Sequence, residues 1–323
     1  MQTQAYTVSC FGKMPTHGDF VRYNADGDVV RALDGWIQQG MYALKTRGDG
    51  SLQEAYDRLG STRFFFRPRN SEAAVAGVIQ SSQDRVGRRF PLVIACELDD
   101  VHARSPLQAA LPATLNPFLE GAAEIARQAA SGTIAYADLD SNLERLPPPD
   151  AGAGGTDGYE AYVDETRWGD FAERTWGYFD DVRKYHLFRN LLDLREGVAA
   201  RGSAPAGIAL RFPMSDGGWS GGLEPSFWID LMGRLLEPAI PLSAAFWRAG
   251  GGDAAPHLTV FPAPPAAHAF LDVVVGVGRG VVDLEESTRT DAVGAVLSIP
   301  PSVGQPLEDE KLTLRALLAK LPG

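Results

Sequence analysis

Two short loops concentrate the residue types that catalysis or anion binding would need. The first, FGKMPTHGDFVRYN at residues 11–24, sets Lys13, His17 and Asp19 among glycines and a proline, between an apolar strand and an expected helix. Nucleotide-binding turns occupy that kind of position, but a P-loop carries its lysine after the second glycine and next to Ser or Thr. Here Lys13 follows the first glycine, Gly12, and Pro15 removes a backbone donor from any phosphate cradle. The second loop, SSQDRVGRRFPL at residues 81–92, gathers Arg85, Arg88 and Arg89 around Asp84 and Gly87 in a tight turn between two strands. An arginine cluster of this kind reads phosphate through the fork geometry of guanidinium. In the other reading Arg85 or Arg88 pairs with Asp19 and pins the two loops together. Both stay open at this point.

Histidine is the usual general acid or base near neutral pH. The five histidines, His17, His102, His186, His257 and His268, include no pair at helical ligand spacing and belong to no nucleophile motif. His17 lies beside Thr16 and Asp19, which makes a hydrolase or ligand-gated switch, with the Arg85–Arg89 turn as anion site, the enzymatic alternative. Neighbours within one turn seldom face each other in the geometry a triad requires. SDGGWSGG at 215–222 opens no G-x-G-x-x-G helix and has no nearby lysine, so it reads as a mobile loop. Adjacent Asp180 and Asp181 point to different faces of a helix and read as solvated surface. The only cysteines, Cys10 and Cys96, lie in strand-like runs without ligand-spaced partners and are expected as buried thiols. No metal or nucleotide cofactor is expected. Phe227, Trp228, Phe246 and Trp247 read as core, although an exposed Trp228 or Trp247 would instead be an interface anchor.

The elements that must position these loops follow from periodicity. QAYTVSCF suggests a strand over 4–11, and apolar residues at helical spacing from Asp28 to Leu44 give one buried stripe. TRFFFRP, AAVAGVIQ and FPLVIACEL read as strands, followed by helical segments to about Leu146. PPPDAGAGGTDG, residues 147–158, has little to bury and reads as a linker or surface loop. Residues 160–199 read as helix with a break near Gly177. AGIALRFP, PLSAAFWRA and PHLTVFP read as strands around a helix in EPSFWIDLMGRLL, and VVVGVGRGVVDL as one further strand. The end, PLEDEKLTLRALLAKL, reads as an amphipathic helix with acids in its first turn. The expected parts are therefore 1–146 with both loops, the 147–158 linker, 159–275 of the same interleaved architecture, and a 276–323 tail.

With 30 basic and 41 acidic residues the net charge is −11, a field that repels nucleic acid and anionic lipid and favours a protein or small-molecule partner. The apolar share of 45% and charged share of 22% are those of a folded domain rather than a disordered chain. The start lacks a signal-peptide pattern and no window reaches membrane-spanning length, so a cytoplasmic protein without direct membrane insertion is expected.

Taken together, FGKMPTHGDFVR and SSQDRVGRRFPL resemble the TagF family of type VI secretion-associated regulators of Gram-negative bacteria. LRFP, PSFWIDL, AAFWRAG and HLTVFPAPP resemble its second part, so the likeness runs over about residues 4–275. Gly12, Lys13, Pro15, Gly18, Asp19 and Arg22 match the first motif, with Met14, Thr16 and His17 at its variable places. Ser82, Asp84, Arg85, Gly87, Arg88, Phe90 and Pro91 match the second. The resemblance implies a three-layer αβα sandwich with a central mixed sheet. It also implies a non-enzymatic role, post-translational repression of type VI secretion assembly through contact with the FHA-domain scaffold protein of the system. The Gly12–Arg22 and Ser82–Arg88 residues are then the candidate partner-binding set, with Trp228 and Trp247 as secondary candidates.

Overall fold

Alternation along the strands decides the architecture. In Ser61–Phe66, Phe64 and Phe66 enter one core and Phe65 the other; in Ala74–Gln80, Val75 parts from Ala74 and Ala76 in the same way. A strand apolar on both faces must be covered on both, which requires helices on either side of the sheet. The computed structural model describes residues 6–47, 50–69, 71–98, 109–149, 153–202, 207–236, 242–250, 255–275, 280–286 and 292–322.

The strands are β1 Val8–Gly12, β2 Val21–Tyr23, β3 Ser61–Phe66, β4 Ala74–Gln80, β5 Leu92–Leu98, β6 Ala209–Pro213, β7 Ala244–Arg248, β8 His257–Phe261 and β9 Val281–Asp283. They form one nine-stranded sheet in the order β2-β1-β5-β4-β3-β7-β8-β6-β9. Among the described residues its one parallel pair is β6 with β9, so the sheet is mixed and the fold is an αβα sandwich. Both halves of the sequence share this sheet, meeting where Arg63 of β3 stands opposite Trp247 of β7.

One face is covered by α1, Asp28–Arg47, α2, Gly50–Asp57, and the helix Ala269–Val275. α1 buries Val30, Leu33, Trp36, Ile37 and Leu44, keeps Asp28 in its first turn and ends on Lys45 and Arg47, as its dipole favours. Trp36 packs on Phe246 and Phe270 while its Nε1 donates to the Ala266 carbonyl at 2.9 Å. The helices Asn116–Ala130, Ala153–Glu165, Trp168–Trp176, Arg183–Arg201, Leu223–Leu235, Ala292–Ser298, Pro301–Leu307 and Leu314–Lys320 supply the core of the opposite face.

Several expectations change. The first loop joins two strands, β1 and β2, rather than a strand and a helix; three residues are too few for period-2 alternation to declare β2. Helix Ala153–Glu165 starts inside the expected 147–158 linker, of which residues 150–152 lie outside the described set. Glycine costs a helix about 1 kcal/mol relative to alanine, but buried Tyr159 and Val163 anchor this one, and the Tyr159 hydroxyl donates to Asp230 at 2.7 Å. The expected strand in VVVGVGRGVVDL divides between the end of helix Ala269–Val275 and β9, with 276–279 outside the described residues. The last segment is not one helix. Pro301–Leu307 and Leu314–Lys320 are separate, Glu308–Glu310 lie between them, and the Thr313 hydroxyl caps the second by accepting from the Ala316 N–H at 3.2 Å. This end docks on the domain itself: Trp168 N–H donates to the Leu312 carbonyl at 2.7 Å and Leu314 N–H to that of Thr166 at 2.9 Å.

Candidate functional site

β1 and β4 each pair antiparallel with β5, so they run parallel to one another and the loops that follow them emerge at one end of the sheet. There the two quoted motifs meet, and their centre is Asp84, whose side chain is 0% exposed. Its Oδ1 accepts the N–H groups of Val86 at 3.1 Å and Arg88 at 2.9 Å, the local turn that Asp favours. Its Oδ2 accepts Lys13 Nζ at 2.8 Å and Arg88 Nε at 2.6 Å. Burial alone would raise this carboxyl's pKa, but the donors from Lys13, Arg88 and Val86 outweigh it and hold the group well below the usual carboxylate range.

Further bonds join the loops. Arg88 Nη2 donates to the Gly18 carbonyl at 2.8 Å, Arg85 N–H to that of His17 at 2.9 Å, and Ser82 Oγ to that of Lys13 at 2.7 Å. The Tyr56 hydroxyl both donates to the Ser82 carbonyl and accepts the Ser82 N–H, at 3.0 and 3.1 Å. Gly12 has φ +132°, and a Cβ there would lie 2.0 Å from the Pro91 carbonyl oxygen, so glycine alone lets β1 end against the second loop. Gly87, at φ +83°, closes the turn by donating to the Asp84 carbonyl at 2.9 Å.

The motif residues therefore divide into two sets. Gly12, Lys13, Ser82 and Asp84 are interior, while Asp19, Arg22, Arg85, Gly87 and Arg88 are exposed, with Pro15 and Gly18 between. The expected pairing of Asp19 with Arg85 or Arg88 is not formed. Asp19 Oδ1 accepts the Phe20 N–H at 2.8 Å, and the pin is made by Lys13 and Asp84 instead. Arg22 pairs with Asp34 of α1 at 2.9 Å. The His17 ring stacks on Tyr136 with centroids 4.1 Å apart, so Thr16, His17 and Asp19 do not assemble as a base and its orienting carboxylate. Trp228 and Trp247 are 0% and 1% exposed, which makes both core residues rather than anchors. Among the described residues no group of three His, Cys, Asp or Glu side chains is placed to hold a metal, and no helix is long and apolar enough to cross a membrane. Cys10 and Cys96 are buried free thiols whose pKa burial pushes up.

Apolar side chains stand beside these charges in solvent: Phe20 is 41% exposed and Val86 68%. Phe20 makes an edge contact with Phe90 at 4.9 Å, and Lys13 Nζ lies 5.1 Å from its ring centroid. Sequence reasoning passed over Phe20, Val86 and Tyr42. The available signal was an aromatic or β-branched residue inside an otherwise polar turn, or off the buried stripe of a helix.

Residues 9–146 match the family model described as TagF N-terminal domain, type VI secretion system-associated. Among solved structures, the crystal structure of PA0076 from Pseudomonas aeruginosa PAO1 is 19% identical, covering 88% of this chain and 98% of that one with a TM-score of 0.39. No curated protein matches the chain.

Proposed function

From the premise that this chain belongs to the TagF family through its N-terminal domain and is thereby linked to type VI secretion, we propose that it represses assembly of that system after translation. In this reading it acts in the cytoplasm without catalysis, by binding the FHA-domain scaffold protein. One observation carries it: exposed Phe20, Val86, Arg85 and Arg88 stand on a base fixed by the buried Lys13–Asp84 pair. A rigid base beneath exposed apolar and cationic groups presents a surface at low ordering cost, which favours recognition by a protein.

The test compares wild type with Val86→Asp and Arg85→Ala in capture of the scaffold from a secretion-competent lysate, with melting measured alongside. Both substitutions are expected to keep native melting and lose capture. Undiminished capture by both would overturn the reading.

A further inference from the structure

Beside the two loops lies a cleft of about 660 Å³ whose walls come from the first loop, α1, α2 and the second loop. Five cations line it, Lys13, Arg22, Lys45, Arg88 and Arg89, and no carboxylate does. Asp34, Asp57 and Asp84 pair with four of them from outside the lining. Lys45 is exposed and, among the described residues, has no ion-pair partner. Five cations against three carboxylates leave the cleft positive on a chain whose net charge is −11. Its lining also includes Met41, Leu44 and Phe90, with Phe20 and the 70% exposed Tyr42.

The geometry points to an acidic peptide segment, carrying an aromatic or large aliphatic side chain, as the occupant of this cleft. This deepens the repressor reading and rests on it: the segment belongs to the protein partner. Charge complementarity selects an anionic occupant, and the apolar lining asks for a side chain that a phosphate or nucleotide phosphate lacks. Arg22, Arg88 and Arg89 keep part of their side chains in solvent and can share their donors with a carboxylate, and Lys45 is the cation left for the occupant.

The probe is a fluorescein-labelled peptide of glutamates flanking a central Phe-Leu pair, compared by anisotropy with an all-glutamate peptide and with fluorescent ATP. The Phe-Leu peptide is expected to saturate wild type below about 100 μM and to weaken as salt is added. Tyr42→Ser and Lys45→Glu are each expected to weaken it about tenfold with unchanged melting, both side chains being exposed. No saturation by about 1 mM, equal binding of the all-glutamate peptide, or tighter binding of ATP would overturn the inference. Scaffold capture by the same variants separates the two claims. Capture that both tolerate removes the cleft but leaves the repressor reading standing, whereas wild type that binds the peptide yet captures no scaffold removes the repressor reading alone.

Discussion

Asp84 and Arg63 are both buried charges that hold a glycine-bearing loop, yet they are satisfied in different ways. Asp84 gathers backbone and side-chain donors from its own turn and from the loop beside it. Arg63 reaches from β3 into the other half of the chain. It donates to the Trp219 and Ser220 carbonyls at 3.3 Å, to Asn116 at 3.1 Å and to Glu120 at 3.0 Å, with its guanidinium 5.0 Å from the Trp219 ring centroid. Among the described residues its Nε has no partner, and burial lowers its pKa against the pull of Glu120. The segment it straps, 215–222, read as a mobile loop; a further tie comes from buried Glu224, which accepts the Ser215 N–H at 2.9 Å. A buried charge can thus serve as the base of a displayed surface or as a strap within the core. Exposed apolar neighbours distinguish the first use.

The largest effect is expected at the strap. Arg63→Met removes the donor shared by two part-buried carbonyls, Asn116 and Glu120, together with its packing on Trp219, and should lower unfolding free energy by about 3 kcal/mol, read in denaturant, without altering scaffold capture by the protein that stays folded. Lys13→Met removes one of the donors to Asp84 while the others remain, so about 2 kcal/mol is expected. Scaffold capture should fall with it, because the displayed loops lose their pin. A loss of capture from Arg63→Met equal to that from Lys13→Met would break the distinction.

Acid sharpens the comparison by separating the halves. His257 is pushed down to about 3 by burial first and then by Arg211, with Arg248 adding to the effect and the Ala255 carbonyl opposing it. Its folded pKa is below the unfolded value of about 6.5, so its contribution is present above that pH and is lost as pH falls from there toward about 3. Asp84 is depressed from an unfolded value of about 4, so its contribution is lost only below that pH. In a pH series of melting curves, His257→Gln should flatten the slope between about pH 6 and 4, and Asp84→Asn only the more acid part. The reverse assignment would refute this account of the two halves. The smallest stability effect belongs to Arg85→Ala, within about 0.5 kcal/mol for an exposed site, measured on the same preparation used for capture.

The sequence made legible whatever local period controls. β3, β4 and β5 announced themselves as short apolar runs, α1 as a stripe, and the Asp84–Gly87 turn by its residue types. The meeting of the two loops stood in the sequence only as a possible pairing of Asp19 with Arg85 or Arg88, because the parallel run of β1 and β4 that sends their following loops to one end is set by pairing with β5, far along the chain. The identity of the pin was not legible. Lys13 and Asp84 lie 71 residues apart, and no periodicity says which of several nearby charges faces inward. Asp19 looked equally suited and turned instead to its own neighbour's N–H. The helix at Ala153 escaped notice because glycine propensity argues against it, and the residues that override propensity, Tyr159 and Val163, act only through packing.

The order of the strands also bears on how the chain is made. Every pairing in β2-β1-β5-β4-β3 lies within residues 8–98, and every pairing in β7-β8-β6-β9 within 209–283; β3 with β7 is the one ladder that links them. During synthesis the first ladder can close, Asp84 and its donors included, while the codons for β7 are still untranslated. Until Ala244–Arg248 arrives, the outer side of β3 carries unpaired amides and carbonyls beside Phe64, Phe65 and Phe66. A fragment ending before residue 240 therefore leaves that edge of β3 without its native partner strand.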